Sequence, residues 1–492
     1  MKSAKAVAVV AILFAIQIII RFRSELVSDA AWYLYVADGL LHGKTLYQDF
    51  IEVNPPLGIW LTVPIVWFAN VTSLSPIAAM WLSVFVLIAL SLMFINRYLR
   101  IGALASENAR AYFVIATAAA LLFLPTEDFA EREHFMVLLF LPWVFLRLTE
   151  KPAGKIGNAE RFVVGLCAGA AICLKPQAIG APIFVELVLL YQRRNLTKLL
   201  SPENIGAVCF ALSYAAAIYF FTPLYIMEII GLATKAYLPY GGESALAIFY
   251  MVAWALAMLT VAISLRWIKA KSNQNTLLLD VLLAASVGFL LSYFIQGKGF
   301  FYQCMPINIF IFMACSWAAI SITLTSGKLN FPITIYAVLT LAFVYQQPQS
   351  YDNIGPMFGD ALAAAAPDAK SIFIATTRID HPFPFIVKKH LHWASRLPYQ
   401  LLIPYVVEKG ELAISENDPV RTKAIELTVT DLANFKPDIV FIVRPERQAH
   451  DPGGPFDYLK FWSADPRFVD IWKNYHLKTK NYGFDVYVLA KP

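Results

Sequence analysis

Charge is scarce in this sequence. Only 15% of its 492 residues are Asp, Glu, Lys or Arg, and 59% are hydrophobic, whereas an ordinary soluble domain is roughly a quarter charged. Cysteine is scarce as well: Cys167, Cys173, Cys209, Cys304 and Cys315 all lie in or beside apolar runs, and none follows Cys315. This excludes a disulfide framework and a zinc cluster with paired-cysteine spacing, so these residues read as small buried hydrophobes. Internal repeats and low-complexity linkers are absent. The net charge of +6 does not point to nucleic acid, because the basic residues sit at the ends of apolar runs instead of forming a stripe.

The apolar excess, with a mean hydropathy of +0.59, falls in discrete runs about as long as a bilayer is thick. The candidate spans are 4–20, 77–96, 109–125, 135–149, 162–174, 178–191, 205–222, 246–265, 277–296, 305–325 and 331–347. The N-terminal run resembles a signal peptide, but Arg21-Phe22-Arg23 stands where a small-residue cleavage site belongs, which favours an uncleaved first span. A further run, Leu57 to Ala69, is short, follows Asn54-Pro55-Pro56 and contains Pro64.

Charge decides the status of that short run. If it crossed the membrane, Arg97, Arg100 and Arg110 would lie outside, against the positive-inside rule. If it rests on the outer interface, every strongly basic loop falls on one side: Arg147/Lys151/Lys155/Arg161, Arg193/Arg194/Lys198 and Arg266/Lys269/Lys271. The expected architecture is therefore a polytopic α-helical membrane protein of about eleven spans, with its N-terminus cytoplasmic. Residues 1–347 form the membrane module, with a first outer loop and juxtamembrane helices over 21–76. Residues 348–492 form a soluble extracytoplasmic α/β domain. In that domain Ser371–Thr377, Asp438–Val443 and Phe484–Leu489 read as strands, and Asp418-Pro419 opens a capped helix.

With this orientation the polar residues of the outer loops form a set. The first loop carries Asp29, in Ser28-Asp29-Ala30-Ala31-Trp32-Tyr33, then Gly43, Tyr47, Asp49-Phe50 and Glu52-Val53-Asn54-Pro55-Pro56. Asp29 reads either as the N-cap of an interfacial helix anchored by Trp and Tyr, or as a carboxylate able to take a proton from a hydroxyl. The second loop, Glu127-Asp128-Phe129-Ala130-Glu131-Arg132-Glu133-His134, holds six ionisable residues in eight. It reads as a solvated turn, as a phosphate site through Arg132, or as a divalent-cation site through carboxylates and His134. Lys175, in Leu174-Lys175-Pro176, sits near or below the outer membrane surface and requires an anionic partner. Lys298 lies between glycines in Gln296-Gly297-Lys298-Gly299-Phe300-Phe301-Tyr302-Gln303, which reads either as a simple turn or as the place of a third basic residue of the site.

Together Arg132, Lys175 and Lys298 read as a cradle for the donor phosphate. Glu52, Asn54, Asp128, Glu131, His134, Tyr302 and Gln303 are candidates for substrate or metal contacts. Glu186, inside a span, pairs with a buried base or joins the site. The loop from Tyr225 to Ser244, with Glu228, Lys235, Glu243 and Tyr240-Gly241-Gly242, is a candidate lid, a role that the sequence does not itself show. In the C-terminal segment Trp393 and Arg396 are candidates to bind an acceptor, by stacking on Trp393 or Trp462, unless those tryptophans form the domain core.

This chemistry suits a polyprenyl-phosphate-linked sugar. Asp29 would deprotonate an acceptor hydroxyl, which attacks the anomeric carbon as the lipid phosphate leaves. One displacement inverts the anomeric centre, with leaving-group charge met by the cations. The pattern Asp29-x-x-Trp-Tyr…Gly43…Tyr47…Asp49-Phe50…Asn54-Pro55-Pro56-Leu57 resembles the first outer loop of the GT-C membrane glycosyltransferases. That group includes protein O-mannosyltransferases and the lipid A aminoarabinose transferases. Glu131-Arg132-Glu133-His134, Leu174-Lys175-Pro176 and Gln296-Gly297-Lys298-Gly299-Phe300 are similar to motifs of its bacterial members.

The resemblance covers about 350 residues of the membrane part. It implies that Asp29 is the catalytic base, that the donor is a polyprenyl-phosphate sugar (hexosyl or pentosyl), and that Leu57–Ala69 is a juxtamembrane helix. The expected acceptor is a cell-envelope glycan, lipid or protein, at the periplasmic face of a bacterial inner membrane. The chain departs from the group in having Ala30, where many relatives carry a second acid, and Gln303-Cys304 near a usual histidine position. Divalent-metal dependence varies in the group and stays open. A transporter or flippase of lipid-linked saccharide is the alternative reading, although the matched halves and broken helices of transporters are absent. A non-catalytic scaffold would need no acid–cation cluster.

Overall fold

The computed structural model describes residues 3–102, 106–149, 156–240, 242–271, 274–326, 355–410, 415–448, 454–481 and 483–490. Its contacts divide the chain into two compact units. One comprises Met1–Glu25, Ala78–Ala216 and Glu243–Gln349; the other comprises Leu26–Ile77, Ala217–Gly242 and Ser350–Pro492. The segment read as the first outer loop thus shares a unit with the C-terminal segment.

The first unit is helical. Its elements are α1 (Ser3–Arg23), and then, after α2 (Ser28–Leu41) and α3 (Leu57–Thr72) of the second unit, α4 (Pro76–Ile101), α5 (Glu107–Phe123), α6 (Arg132–Leu148), α7 (Asn158–Leu174), α8 (Gly180–Arg193), α9 (Pro202–Phe221), α10 (Ala245–Lys271), α11 (Leu277–Gln296) and α12 (Met305–Ser326). Six helices among the described residues are long and apolar enough to cross a membrane: Ala4–Arg23, Pro76–Ile101, Pro202–Phe221, Ala245–Lys271, Leu277–Gln296 and Phe301–Leu324. The chain is a multi-pass membrane protein. Helices α5 to α8 are shorter, at 14 to 17 residues, and occupy the runs read as spans 109–125 to 178–191. The run 331–347 lies outside the described residues. Leu57–Thr72 is a 16-residue apolar helix with Pro64 inside it.

Two features hold these helices together where lipid offers no hydrophobic drive. The first is small residues at crossings. A Cβ added at Gly165 would run into the Glu203 backbone, and one at Gly169, four residues on, would lie 2.5 Å from the Ala207 carbonyl, so α7 and α9 meet backbone to backbone. Gly288 of α11 meets Ala181 of α8 in the same way. The second is a buried ion network. Arg147 donates Nε and Nη2 to the two oxygens of Glu186 (2.6 and 2.7 Å) and Nη1 to Glu203 (2.8 Å), while Arg161 Nε lies 2.8 Å from Glu203. The base that Glu186 requires is therefore Arg147, and four helices are tied at one node.

In the second unit a five-stranded sheet has the order β2-β1-β3-β5-β4. The strands are β1 (Ser371–Ala375), β2 (His392–Trp393), β3 (Ile439–Val443), β4 (Tyr475–Asn481) and β5 (Phe484–Leu489). β1 pairs parallel with β2 and β3, with Phe373 opposite Val440, and β5 pairs antiparallel with β3 and β4. β3 is buried along its whole length, as a central strand covered on both faces must be, which explains its unbroken Ile-Val-Phe-Ile-Val run. The helix Pro419–Phe435 starts as its sequence predicts: Asp418 Oδ1 accepts from the N–H groups of Val420 and Arg421, both at 2.9 Å.

Helix α2 departs from expectation. Val27 occupies its capping position with no side-chain cap, so Asp29 lies within the first turn and is not the N-cap. Nor do its aromatic residues lie along an interface: Trp32 is fully buried, meeting Phe50 at 5.9 Å and Phe383 at 5.3 Å. Tyr35 Oη accepts from the Trp393 N–H (3.0 Å), and the Ile51 N–H donates to the Arg396 carbonyl (2.8 Å). The segment read as the first outer loop is therefore packed into the α/β core of its own unit.

Candidate active site

Asp29 is half-buried at the start of α2, where the helix dipole favours a carboxylate. Glu52 is 4% exposed and fully engaged: Oε2 accepts from Trp32 Nε1 (2.8 Å), and Oε1 accepts from the backbone N–H (2.8 Å) and side-chain amide (2.6 Å) of Asn54. Tyr47 donates its hydroxyl to the Asn54 carbonyl (2.8 Å), and its ring lies 5.2 Å from Tyr225. Burial holds the Tyr399 phenol well above its ordinary pKa, and the charges of Asp29 and Glu52 and a hydrogen bond with Tyr237 act in the same direction. Burial and the Glu52 charge also push Tyr225 up to about 12. Two carboxylates are thus set among neutral tyrosine hydroxyls, an arrangement that can hold polar sugar groups while one acid accepts a proton.

Sequence reasoning placed Asp29, Glu52 and Asn54 here but missed Tyr237 and Tyr399. Tyr225 and Tyr237 lie on the loop read as a lid, and Tyr399 follows Arg396-Leu397-Pro398. No local pattern marks them, because their role comes from the fold.

The second set lies in the helical unit. Lys175 finds its anionic partner in Glu133, to which its Nζ donates, and it lies over the Tyr302 ring at 5.3 Å. Arg132 Nε is 3.6 Å from Glu131, and Glu131 and Asp128 are almost fully buried. Arg132 and Glu131 act electrostatically on Lys175, and Asp128 and Lys175 both act on Cys304, so these residues share one neighbourhood. Gln303 is buried as well. The Lys298 side chain is buried, and its carbonyl accepts from the Glu243 N–H (2.9 Å). That contact pins a turn in which Gly297 (φ 61°) and Gly299 (φ 74°) adopt the left-handed region that glycine allows. His134 is wholly buried, with its ring against Phe129 at 4.9 Å. Among the described residues, no group of three or more His, Cys, Asp and Glu is arranged to hold a metal ion.

Of the two acceptor candidates, Trp393 requires correction. It is 2% exposed, stacked on Phe373 at 5.8 Å, and donates Nε1 to the Leu397 carbonyl (2.7 Å). Trp462 is fully buried too. Both are core, because the short sheet needs large apolar surface on its flanks, and neither ring offers a face to a glycan. Arg396 stays accessible. Its Nε is held by Asp431 Oδ1 (2.7 Å), and Asp431 Oδ2 accepts from the Arg396 backbone N–H (2.8 Å).

The fold is shared end to end with solved structures of another protein. The chain is similar over its full length to the crystal structure of ArnT from Cupriavidus metallidurans bound to undecaprenyl phosphate, with 13% identity, a TM-score of 0.54 and coverage of 100% of both chains. The apo state of that protein gives 12% identity, a TM-score of 0.53 and 99% of both chains. No protein-family model matches the chain, and no curated protein matches it.

Proposed function

We propose that this protein is an inverting glycosyltransferase that moves a sugar from a polyprenyl-phosphate donor to a cell-envelope acceptor at the outer face of a bacterial inner membrane. The observation that carries the reading is the fold it shares, end to end, with a protein crystallised with undecaprenyl phosphate. Its own residues supply the parts. Asp29 takes the proton of the acceptor hydroxyl, the new bond forms at the anomeric carbon, and the bond to the lipid phosphate breaks. Arg132, Lys175 and Lys298 meet the phosphate, where charge-assisted contacts stabilise the leaving group. Glu52 and Asn54 hold the loop that carries Asp29. An eleven-span topology with a cytoplasmic N-terminus and an outward C-terminal domain completes the proposal.

The test is transfer from a polyprenyl-phosphate sugar by purified protein. Asp29→Ala should lower the rate by ~10²–10⁴-fold, the range of general-base contributions, while the thermal shift induced by undecaprenyl phosphate persists. An Asp29→Ala variant that transfers at the normal rate overturns the mechanism.

A further inference from the structure

The second unit contains a cleft of about 690 Å³, within the size range of sites for small ligands. Its walls come from the first outer loop (Tyr47, Gln48), the 217–242 segment (Glu228, Lys235) and the α/β domain (Arg396, Lys423). Three cations face it against one carboxylate, Glu228. Two further acids act on these cations and are already engaged. Asp431 is 1% exposed and holds Arg396 by its Nε and backbone N–H. Asp418 lies within electrostatic reach of Lys235, but its Oδ1 caps the helix Pro419–Phe435 and its Oδ2 accepts from the Tyr405 hydroxyl (3.0 Å).

Arg396 therefore has Nε fixed, while its two terminal amino groups make no hydrogen bond among the described residues. A guanidinium oriented in this way is suited to bidentate capture of an oxyanion. Lys423, half-buried, lines the same cleft and has no ion pair among the described residues. Gln48 and Glu228 add a donor–acceptor pair and an acceptor for hydroxyl groups.

We propose that this cleft binds the acceptor, and that the acceptor is a saccharide bearing carboxylate or phosphate groups. This inference rests on the glycosyltransferase reading and specifies its acceptor. Arg396 grips the anion, Lys235 and Lys423 supply further positive charge, and Gln48 and Glu228 meet sugar hydroxyls.

Binding of trigalacturonate, of maltotriose phosphate and of neutral maltotriose to the purified full-length protein tests it by titration calorimetry. One of the two anionic probes should bind at least tenfold more tightly than maltotriose, with affinity falling as salt rises, and which one does so names the anion. Lys423→Gln and Lys235→Gln, at surface positions, should each weaken that probe severalfold. Equal affinity for all three probes, or unchanged affinity in both variants, overturns the proposal. The thermal shift of the wild-type protein with undecaprenyl phosphate is read separately. If that shift is absent while the anionic probe still binds, the donor reading fails and the cleft assignment stands.

Discussion

Trp32 Nε1 donates a 2.8 Å hydrogen bond to Glu52 Oε2, joining α2 to the segment just before α3 through a buried carboxylate. The other oxygen of Glu52 serves two donors on Asn54. Glu52→Gln replaces one acceptor oxygen by an amide that faces donors whichever way it turns. The expected loss is ~1–3 kcal/mol of stability, the price of an unsatisfied buried donor, with transfer falling by at least about tenfold as Asp29 loses its fixed position. Thermal unfolding and initial transfer rates on one preparation check both. A variant unchanged in each would show that this pair does not order the loop.

Lys175 and Glu133 form a buried pair beside Tyr302. Removing one partner strands a charge, so Lys175→Met should destabilise by ~3–5 kcal/mol. The double change Lys175→Met with Glu133→Leu should recover much of that stability while leaving undecaprenyl phosphate binding weak. Calorimetric unfolding in detergent and lipid-dependent thermal shift separate the two effects. Normal lipid binding by the double variant would remove Lys175 from the donor site.

Arg147 stands at the node of Glu186, Glu203 and Ser201 and is almost wholly buried. Arg147→Met leaves two carboxylates without their shared cation and should cost ~3–5 kcal/mol. It should act on stability and yield, with any folded fraction retaining its rate per molecule. A rate loss in well-folded Arg147→Met would give this network a role in turnover.

His381 is 4% exposed and shares a 2.7 Å hydrogen bond with Thr376 Oγ1. Burial lowers its pKa from 6.5 to about 4, while the neighbouring Asp380 opposes the shift. Between these values the unfolded chain binds a proton that the folded chain does not, so stability falls as pH drops from 6.5 towards 4. The loss is on the order of 3 kcal/mol at most. Asp380, whose carboxyl burial would raise, is held below 3.8 by Arg378; its contribution is present above 3.8 and is lost only on further acidification. His381→Gln should flatten the pH 4–6.5 slope and leave the more acidic transition in place, as read by tryptophan fluorescence during denaturant unfolding. An unchanged slope would mean that another group controls this window.

Much of this protein was legible in the residue string, because hydropathy and charge act locally. Six of the apolar runs become helices long and apolar enough to cross a membrane, Asp418-Pro419 marks a helix start, and the charges of Lys175 and Glu186 in apolar surroundings demand partners, which prove to be Glu133 and Arg147. β4, reading Tyr-His-Leu-Lys-Thr-Lys-Asn, escaped notice because a charged sheet edge lacks the apolar alternation of a buried face. Tertiary structure alone decided which aromatics are surface and which are core. Trp32 and Trp393 look like an interfacial anchor and a stacking platform, yet both are enclosed, since burial depends on what folds over a residue. The same holds for the carboxylates of Asp29 and Glu52. Their tyrosine neighbours come from the segments around residues 237 and 399, and a juxtaposition across such a separation is set by packing and has no local signature.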